Sequence, residues 1–145
     1  MSGISGVFYL DDRRVSYTEI EQMNNGLTHR GPDDSGVWCQ GSTALGHRML
    51  WVTPESYAEK LPARDGNLVI TADARIDNRD QLLPLLGFDD RPANDVTDSQ
   101  LILAAYRKWG RDCPAWLIGV FAFAIWDNQS RTLFCARDYI GSKPF

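Results

Sequence analysis

The 145-residue sequence lacks several features that would mark particular classes of protein. It has no apolar run of about 18 residues, the length that a membrane-spanning helix needs. Its N-terminus does not show the charged and then apolar layout of a secretory signal peptide. The 15 Lys and Arg are outnumbered by 19 Asp and Glu, and the basic residues form no cluster. We therefore expect neither a membrane nor nucleic acid as a partner.

Cysteine is also scarce, since the chain contains only Cys39, Cys113 and Cys135. These three residues have no metal-ligand spacing, and any intramolecular disulfide would leave one of them unpaired. We therefore expect reduced thiols, a cytoplasmic location and no metal site. The length suits a single domain whose core needs no covalent cross-link.

Apolar periodicity and turn residues predict short strands alternating with helices. Ser16 with Glu19, and Thr97 with Gln100, are capping-box signatures for helices that run to about Leu27 and to Trp109. A weaker pattern predicts a helix over Arg79–Leu86, in which Pro84 is tolerable only near the first turn. Strands are predicted at Ile4–Leu10, Gly36–Gln40, Thr43–Leu50, Leu68–Thr71, Ile118–Trp126 and Thr132–Ala136.

The first residues contain a candidate nucleophile. A small residue, Ser2, follows Met1 and precedes a Gly-containing apolar strand, which resembles the start of an N-terminal-nucleophile hydrolase. In such enzymes removal of Met1 frees the α-amino group of the second residue, and this amine serves as the base for that residue's own side chain. The alternative is a strand that merely begins with a small residue.

Several further segments, spread along the chain, resemble the glutaminase domain of asparagine synthetases and occur in that family's order. They are His29–Gly36 (HRGPDDSG), Leu45–Arg48 (LGHR), Thr97–Asp98, Gly119–Asp127 (GVFAFAIWD) and Ala136–Pro144 (ARDYIGSKP). The resemblance implies a class II glutamine amidotransferase-like domain over residues 1–145. Its expected fold is the α+β, four-layer αββα sandwich of N-terminal-nucleophile hydrolases, with two antiparallel sheets between helical layers.

The resemblance also assigns roles to individual positions, and this sequence departs from the family at most of them. Ser2 stands where working members have their nucleophilic Cys. Met49 stands where the family's H-x-R-L segment has the Arg that grips the α-carboxylate of glutamine. The neighbouring Arg48 should point elsewhere if the segment is a strand, because successive side chains face opposite sides.

The largest departure lies at residues 72–78, ADARIDN, where active members have V-N-G-E-I-Y-N. Their Asn amide and Gly N–H form the oxyanion hole, and Asp73 and Ala74 occupy those positions here. Loss of one such donor typically costs about 10²–10³ in rate, and an anion in its place should cost more. Arg75 replaces the substrate-binding Glu. Only Asp98 is retained, as an anchor for the substrate ammonium.

These substitutions predict a domain that has lost glutamine hydrolysis and keeps a structural, scaffolding role. One alternative is an active amidohydrolase or glutaminase that uses Ser2 and feeds ammonia to asparagine synthesis. Another is an orthodox glutaminase domain whose alignment is displaced here. The state of Met1 separates the first two, because a retained Met blocks the α-amino base.

In the family, the last segment continues towards a second domain that binds ATP through an S-G-G-x-D-S loop. Residues 1–145 contain no such loop. The resemblance therefore implies no cofactor for this chain, and ATP with Mg²⁺ for a C-terminal synthetase domain that the chain lacks. That domain is the implied partner, and a homodimer is left open. Residues 46–50 with 53–56, and residues 72–78, look more like the divergent branch that includes β-lactam synthetase and lasso-peptide cyclases.

Two basic residues in these segments have simpler expected roles. His47 is expected to be a satisfied core or strand histidine, because no nucleophile is predicted beside it. Arg30, in the loop that resembles one beside the family's nucleophile, is expected to hold that loop by hydrogen bonds.

Overall fold

The computed structural model describes all 145 residues. Seven strands and three α-helices are joined by loops and three short 3₁₀ segments. In chain order they are β1 (Gly3–Phe8), α1 (Tyr17–Gly26), β2 (Asp34–Gln40), β3 (Thr43–Met49), β4 (Ala63–Asp65), β5 (Leu68–Ile76), α2 (Arg79–Leu85), α3 (Asp98–Trp109), β6 (Gly119–Asp127) and β7 (Thr132–Arg137).

The strands form two antiparallel sheets, which confirms the predicted sandwich. The first sheet has the order β1-β3-β2, and the second has the order β4-β5-β6-β7. The sheets pack face to face through β3, β1 and β5, while α1 covers the outer face of the first sheet and α3 that of the second. No helix is both long enough and apolar enough to cross a bilayer.

Each interface between layers has its own apolar core. The largest lies between the second sheet and the helices α2 and α3, and includes Ile70, Leu101 and Phe123. A smaller one, around Leu45 and Trp126, joins the two sheets. Because apolar burial is the main favourable term in folding, these contacts hold the layers together.

The helix boundaries follow the capping residues that the sequence contains. The Ser16 hydroxyl accepts a hydrogen bond from the Glu19 amide at 3.1 Å, and Thr97 and Gln100 form a reciprocal capping box. At the other end of α3, Gly110 adopts a φ of 58°, a conformation that glycine tolerates without a steric penalty. The predicted helix is α2, but the restriction placed on Pro84 was wrong: Pro84 lies in the second turn, where it leaves the Asp80 carbonyl without the N–H of residue 84.

Strand β5 is longer than the sequence predicted. It pairs with β6 from Leu68 to Ile76 without interruption, so Asp73, Ala74 and Arg75 lie inside the strand rather than beyond its end. Pairing with the apolar strand β6 therefore overrides the low β-propensity of Asp and Ala. Alternation along the strand places Asp73 on the face that carries Thr71, towards the first sheet, and Ala74 on the opposite face.

Gly31 allows the loop after α1 to pack tightly against the end of β3. A Cβ atom at this position would lie 2.2 Å from the carbonyl oxygen of Arg48 and 2.6 Å from the nitrogen of Met49. Two hydrogen bonds continue the contact, from the Asp33 amide to the Met49 carbonyl at 3.0 Å and from the Trp51 amide to the Asp33 carboxylate at 2.9 Å. Close backbone approach thus fixes this loop beside the residues discussed below.

We expect Gly31→Ala to lower the free energy of unfolding by about 1–3 kcal/mol, because backbone atoms must shift to admit the methyl group. Gly26→Ala is the matched control, since a Cβ there meets nothing within 4 Å. It should leave stability unchanged or raise it by up to about 1 kcal/mol. Chemical denaturation of both variants tests this, and equal effects would contradict the packing argument.

His47 is buried between the two sheets. Its Nδ1 lies 3.2 Å from the Thr71 hydroxyl, which donates to the Gly46 carbonyl at 3.1 Å, and its Nε2 has no partner. Burial lowers the pKa of His47 from 6.5 to about 4. His47 is therefore a neutral core residue, as predicted, but only one of its two ring nitrogens has a partner.

The lowered pKa makes the stability of the fold depend on pH. In the unfolded chain His47 takes up a proton below pH 6.5, whereas the folded chain resists protonation until about pH 4. This difference in pKa contributes about 3 kcal/mol to the free energy of unfolding. The contribution is complete above pH 6.5 and is lost as the pH falls to about 4. The difference in unfolding free energy between wild type and His47→Gln should therefore shrink over this range. Chemical denaturation of both proteins between pH 7 and pH 4 measures this difference, and a difference that stays constant would contradict the argument.

Candidate functional site

Ser2 reaches the site because β1 pairs with β3. In that register Gly3 lies opposite Arg48, so Ser2 comes next to Met49. The Ser2 hydroxyl accepts a hydrogen bond from the Leu50 amide at 3.0 Å and lies 3.7 Å from the Met49 sulfur. The side chain is therefore buried and held in place.

All six positions assigned from the sequence line one small cavity of about 130 Å³. They are Ser2, Met49, Asp73, Ala74, Arg75 and Asp98. Four parts of the chain contribute them: the residue before β1, the end of β3, the second half of β5, and the first residue of α3. Pairing and packing thus gather residues that are far apart in the sequence.

Strand β3 contributes an apolar side chain, not a guanidinium group, to the wall of the cavity beside Ser2. Met49 is buried there as part of an apolar cluster. Arg48 points the other way, as predicted from strand alternation, and its guanidinium donates to the Asn24 carbonyl at 3.1 Å and to the Asn25 side chain. Thioether sulfur is at best a weak hydrogen-bond acceptor, so Met49 has no donor to offer a carboxylate.

Asp73 has a cation as its partner inside the protein. The Lys143 ammonium lies 3.0 Å from one oxygen of the Asp73 carboxylate, and these side chains are 13% and 10% exposed, respectively. The second oxygen of Asp73 is buried without a partner. Position 73 therefore presents an ion pair to the cavity, not an amide donor.

Asp98 also has its charge satisfied from within. It forms an ion pair with Arg79 and accepts a weak hydrogen bond from the Ile76 amide at 3.4 Å. The Arg79 guanidinium additionally donates to the carbonyls of Ala93, at 2.8 Å, and Val96. Burial raises the pKa of Asp98 to about 7, against the opposing effect of Arg79. An incoming ammonium group would compete with a guanidinium that is already bound.

Of the two remaining assigned residues, Arg75 has an internal partner and Ala74 has no polar side chain. Arg75 is half-exposed and forms an ion pair with Asp77 at 2.9 Å. Ala74 packs its methyl group against the larger core. Hence a cation borders the cavity where the resemblance assigns a carboxylate.

Three residues of the site escaped the sequence analysis. Arg79 and Lys143 are the buried cations described above, and Glu59 is a third buried charged side chain beside them. One Glu59 oxygen accepts hydrogen bonds from the Ser99 amide at 3.3 Å and from the Ser99 hydroxyl. Burial raises the pKa of Glu59. Lys143 belongs to the GSKP segment that the analysis quoted, but no local pattern in the sequence pairs it with Asp73.

Comparisons with known proteins identify the family of the chain. The sequence profile of the family described as "Glutamine amidotransferase domain" matches residues 1–145, and the chain belongs to that family. It is 32% identical over its whole length to asparagine synthetase [glutamine-hydrolyzing] 3 of Bacillus subtilis. It is also 32% identical over its whole length to putative asparagine synthetase [glutamine-hydrolyzing] 2 of Methanocaldococcus jannaschii. The chain spans 24% and 31% of the lengths of these two relatives, respectively.

The two arginine–aspartate pairs near the cavity allow a matched test of its electrostatics. Arg79→Met should lower the unfolding free energy by about 3–5 kcal/mol, because it leaves Asp98 buried without a counter-ion. Arg75→Met breaks an exposed pair and should cost about 1 kcal/mol or less. Asp98→Asn in the Arg79→Met background should recover part of the loss. Thermal or chemical denaturation measures all three, and equal losses for the two arginine variants would contradict this account.

Proposed function

We propose that this chain is a glutamine amidotransferase domain that no longer hydrolyses glutamine. The observation that carries the proposal is the internal neutralisation of the substrate pocket. Asp98, the expected anchor for the substrate ammonium, is paired with Arg79, and Asp73, at an expected oxyanion position, is paired with Lys143. A glutamine molecule would have to displace one ion pair and would find the other beside its reacting carbonyl.

The end of the pocket expected to hold the carboxylate supports the same proposal. Met49 stands at the position of the arginine that the resemblance assigns to the glutamine α-carboxylate. The guanidinium of the neighbouring Arg48 donates to the Asn24 carbonyl in α1. A substrate carboxylate in this cavity would therefore lose water without gaining a bidentate partner, a loss of about 2–5 kcal/mol. Ser2 can act as a nucleophile only after Met1 is removed, since its nitrogen is otherwise an amide.

We further propose that the domain is the N-terminal part of an asparagine-synthetase-like, ATP-dependent amide-forming enzyme. The relatives that the chain matches over its full length are about three to five times as long as the chain. In this proposal a C-terminal synthetase domain is the partner and binds ATP and Mg²⁺. Within the chain, no group of three or more His, Cys, Asp or Glu is placed to hold a metal ion.

The substitutions at positions 49 and 73–75 favour the divergent branch of the family over orthodox asparagine synthetases. In that branch the amine that closes the amide is already part of the substrate, so ammonia from glutamine is unnecessary. A pocket whose charges are paired internally is consistent with that chemistry. The domain would then act as a scaffold for its neighbour.

Glutamate release from L-glutamine tests the proposal, with intact mass recorded to show that Met1 is absent. We expect the chain with a free Ser2 terminus to release no more glutamate than Ser2→Ala. Ser2→Cys alone should not restore activity, because the pocket and the oxyanion positions remain altered. Glutamate release above the Ser2→Ala control would overturn the proposal and favour a Ser2-dependent amidohydrolase.

A further inference from the structure

A second cavity, of about 330 Å³, lies on the other side of Ser2, between the two sheets. Its walls are mainly apolar and include Ile4, Leu27, Leu45 and Leu133. Its volume is within the range of small-molecule sites, and such sites combine apolar walls with a few polar groups that orient the ligand.

The polar group that distinguishes this cavity is the Arg30 guanidinium. Arg30 takes part in none of the eight ion pairs of the structure. Its Nε is buried and has no hydrogen-bond partner. Arg30 was expected to hold its loop by hydrogen bonds, and it does so only through its amide, which donates to the Leu27 carbonyl at 2.9 Å.

The Arg30 Nε is a donor that is shielded from water and has no acceptor, an arrangement that costs free energy. Buried charges in proteins are normally paired, because desolvation without compensation is costly. The other acidic or basic side chain in the wall is Asp73, one oxygen of which is paired with Lys143. Arg30 therefore retains its capacity for a planar, bidentate contact with a carboxylate.

We propose that this cavity binds a small apolar carboxylate, with its carboxylate on Arg30 and its hydrocarbon body against the leucine and isoleucine walls. The cavity adjoins the glutamine pocket, since Ser2 and Asp73 line both, but the proposal does not depend on loss of glutamine hydrolysis. Occupation of the cavity would bury apolar surface of both sheets, so the ligand should also stabilise the folded chain.

Cyclohexanecarboxylate is a suitable probe, and cyclohexanecarboxamide is its neutral counterpart of similar shape. Binding to the purified chain is measured by calorimetry and by the rise in Tm. We expect saturable binding of the carboxylate, and weaker binding of the carboxamide by about tenfold or more, because charge-assisted hydrogen bonds are roughly twice as strong as neutral ones. No carboxylate binding at millimolar concentrations, or equal binding of the two compounds, would overturn the proposal.

Variants locate the binding. Arg30→Met keeps much of the side-chain length and should weaken carboxylate binding at least tenfold while leaving carboxamide binding unchanged. Leu133→Trp fills the cavity and should abolish binding of both compounds, whereas Leu10→Trp, at an exposed position, should have no effect. Carboxylate binding that survives both Arg30→Met and Leu133→Trp would place the ligand elsewhere. If Arg30→Met does not fold, the comparison of the two compounds and the Leu133→Trp variant still decide the question.

Discussion

Burial of charge is the constraint on which the arrangement of this site depends. The cavity beside Ser2 lies where two sheets and the first turn of α3 meet, and the side chains of Asp73 and Asp98 are each 10% exposed or less. A carboxylate in such a place needs a counter-charge, because water cannot solvate it. In this chain the counter-charges come from Arg79 and Lys143, which are part of the same molecule.

The same cations connect the pocket to the rest of the fold. Arg79 joins the start of α2 to the start of α3 and also binds the loop between them through two carbonyls. Lys143 ties the segment after β7 to the middle of β5. That segment is itself ordered by Asp138, whose carboxylate accepts hydrogen bonds from the Phe121 and Ser142 amides. Charges that border the cavity beside Ser2 thus contribute to the packing of the domain.

Much of the fold could be predicted from the sequence, because it depends on local signals. The capping residues Ser16 and Thr97 and the apolar run that became β6 each indicated an element close to its observed place. The extent of β5 could not be predicted, since its second half is stabilised by pairing with β6 and not by its own composition. The β-propensity of a segment does not show which distant strand it pairs with.

The candidate site could likewise be predicted only in part. Its six positions followed from motif resemblance, and the structure brings them together around one cavity. The partners of Asp73 and Asp98 did not follow, because Lys143 is 70 residues from Asp73 and Arg79 is 19 residues from Asp98. The sequence indicated a pocket with missing groups. The structure adds that the retained carboxylate, that of Asp98, already has Arg79 as its partner.

Binding of L-glutamine to the chain lacking Met1, followed by calorimetry or by amide chemical shifts, tests the central claim most directly. The account predicts no saturable binding at millimolar concentrations, because neither end of the pocket offers a free partner. Saturable binding that Asp98→Asn abolishes would contradict it, since Asp98 would then be available to the substrate ammonium despite Arg79.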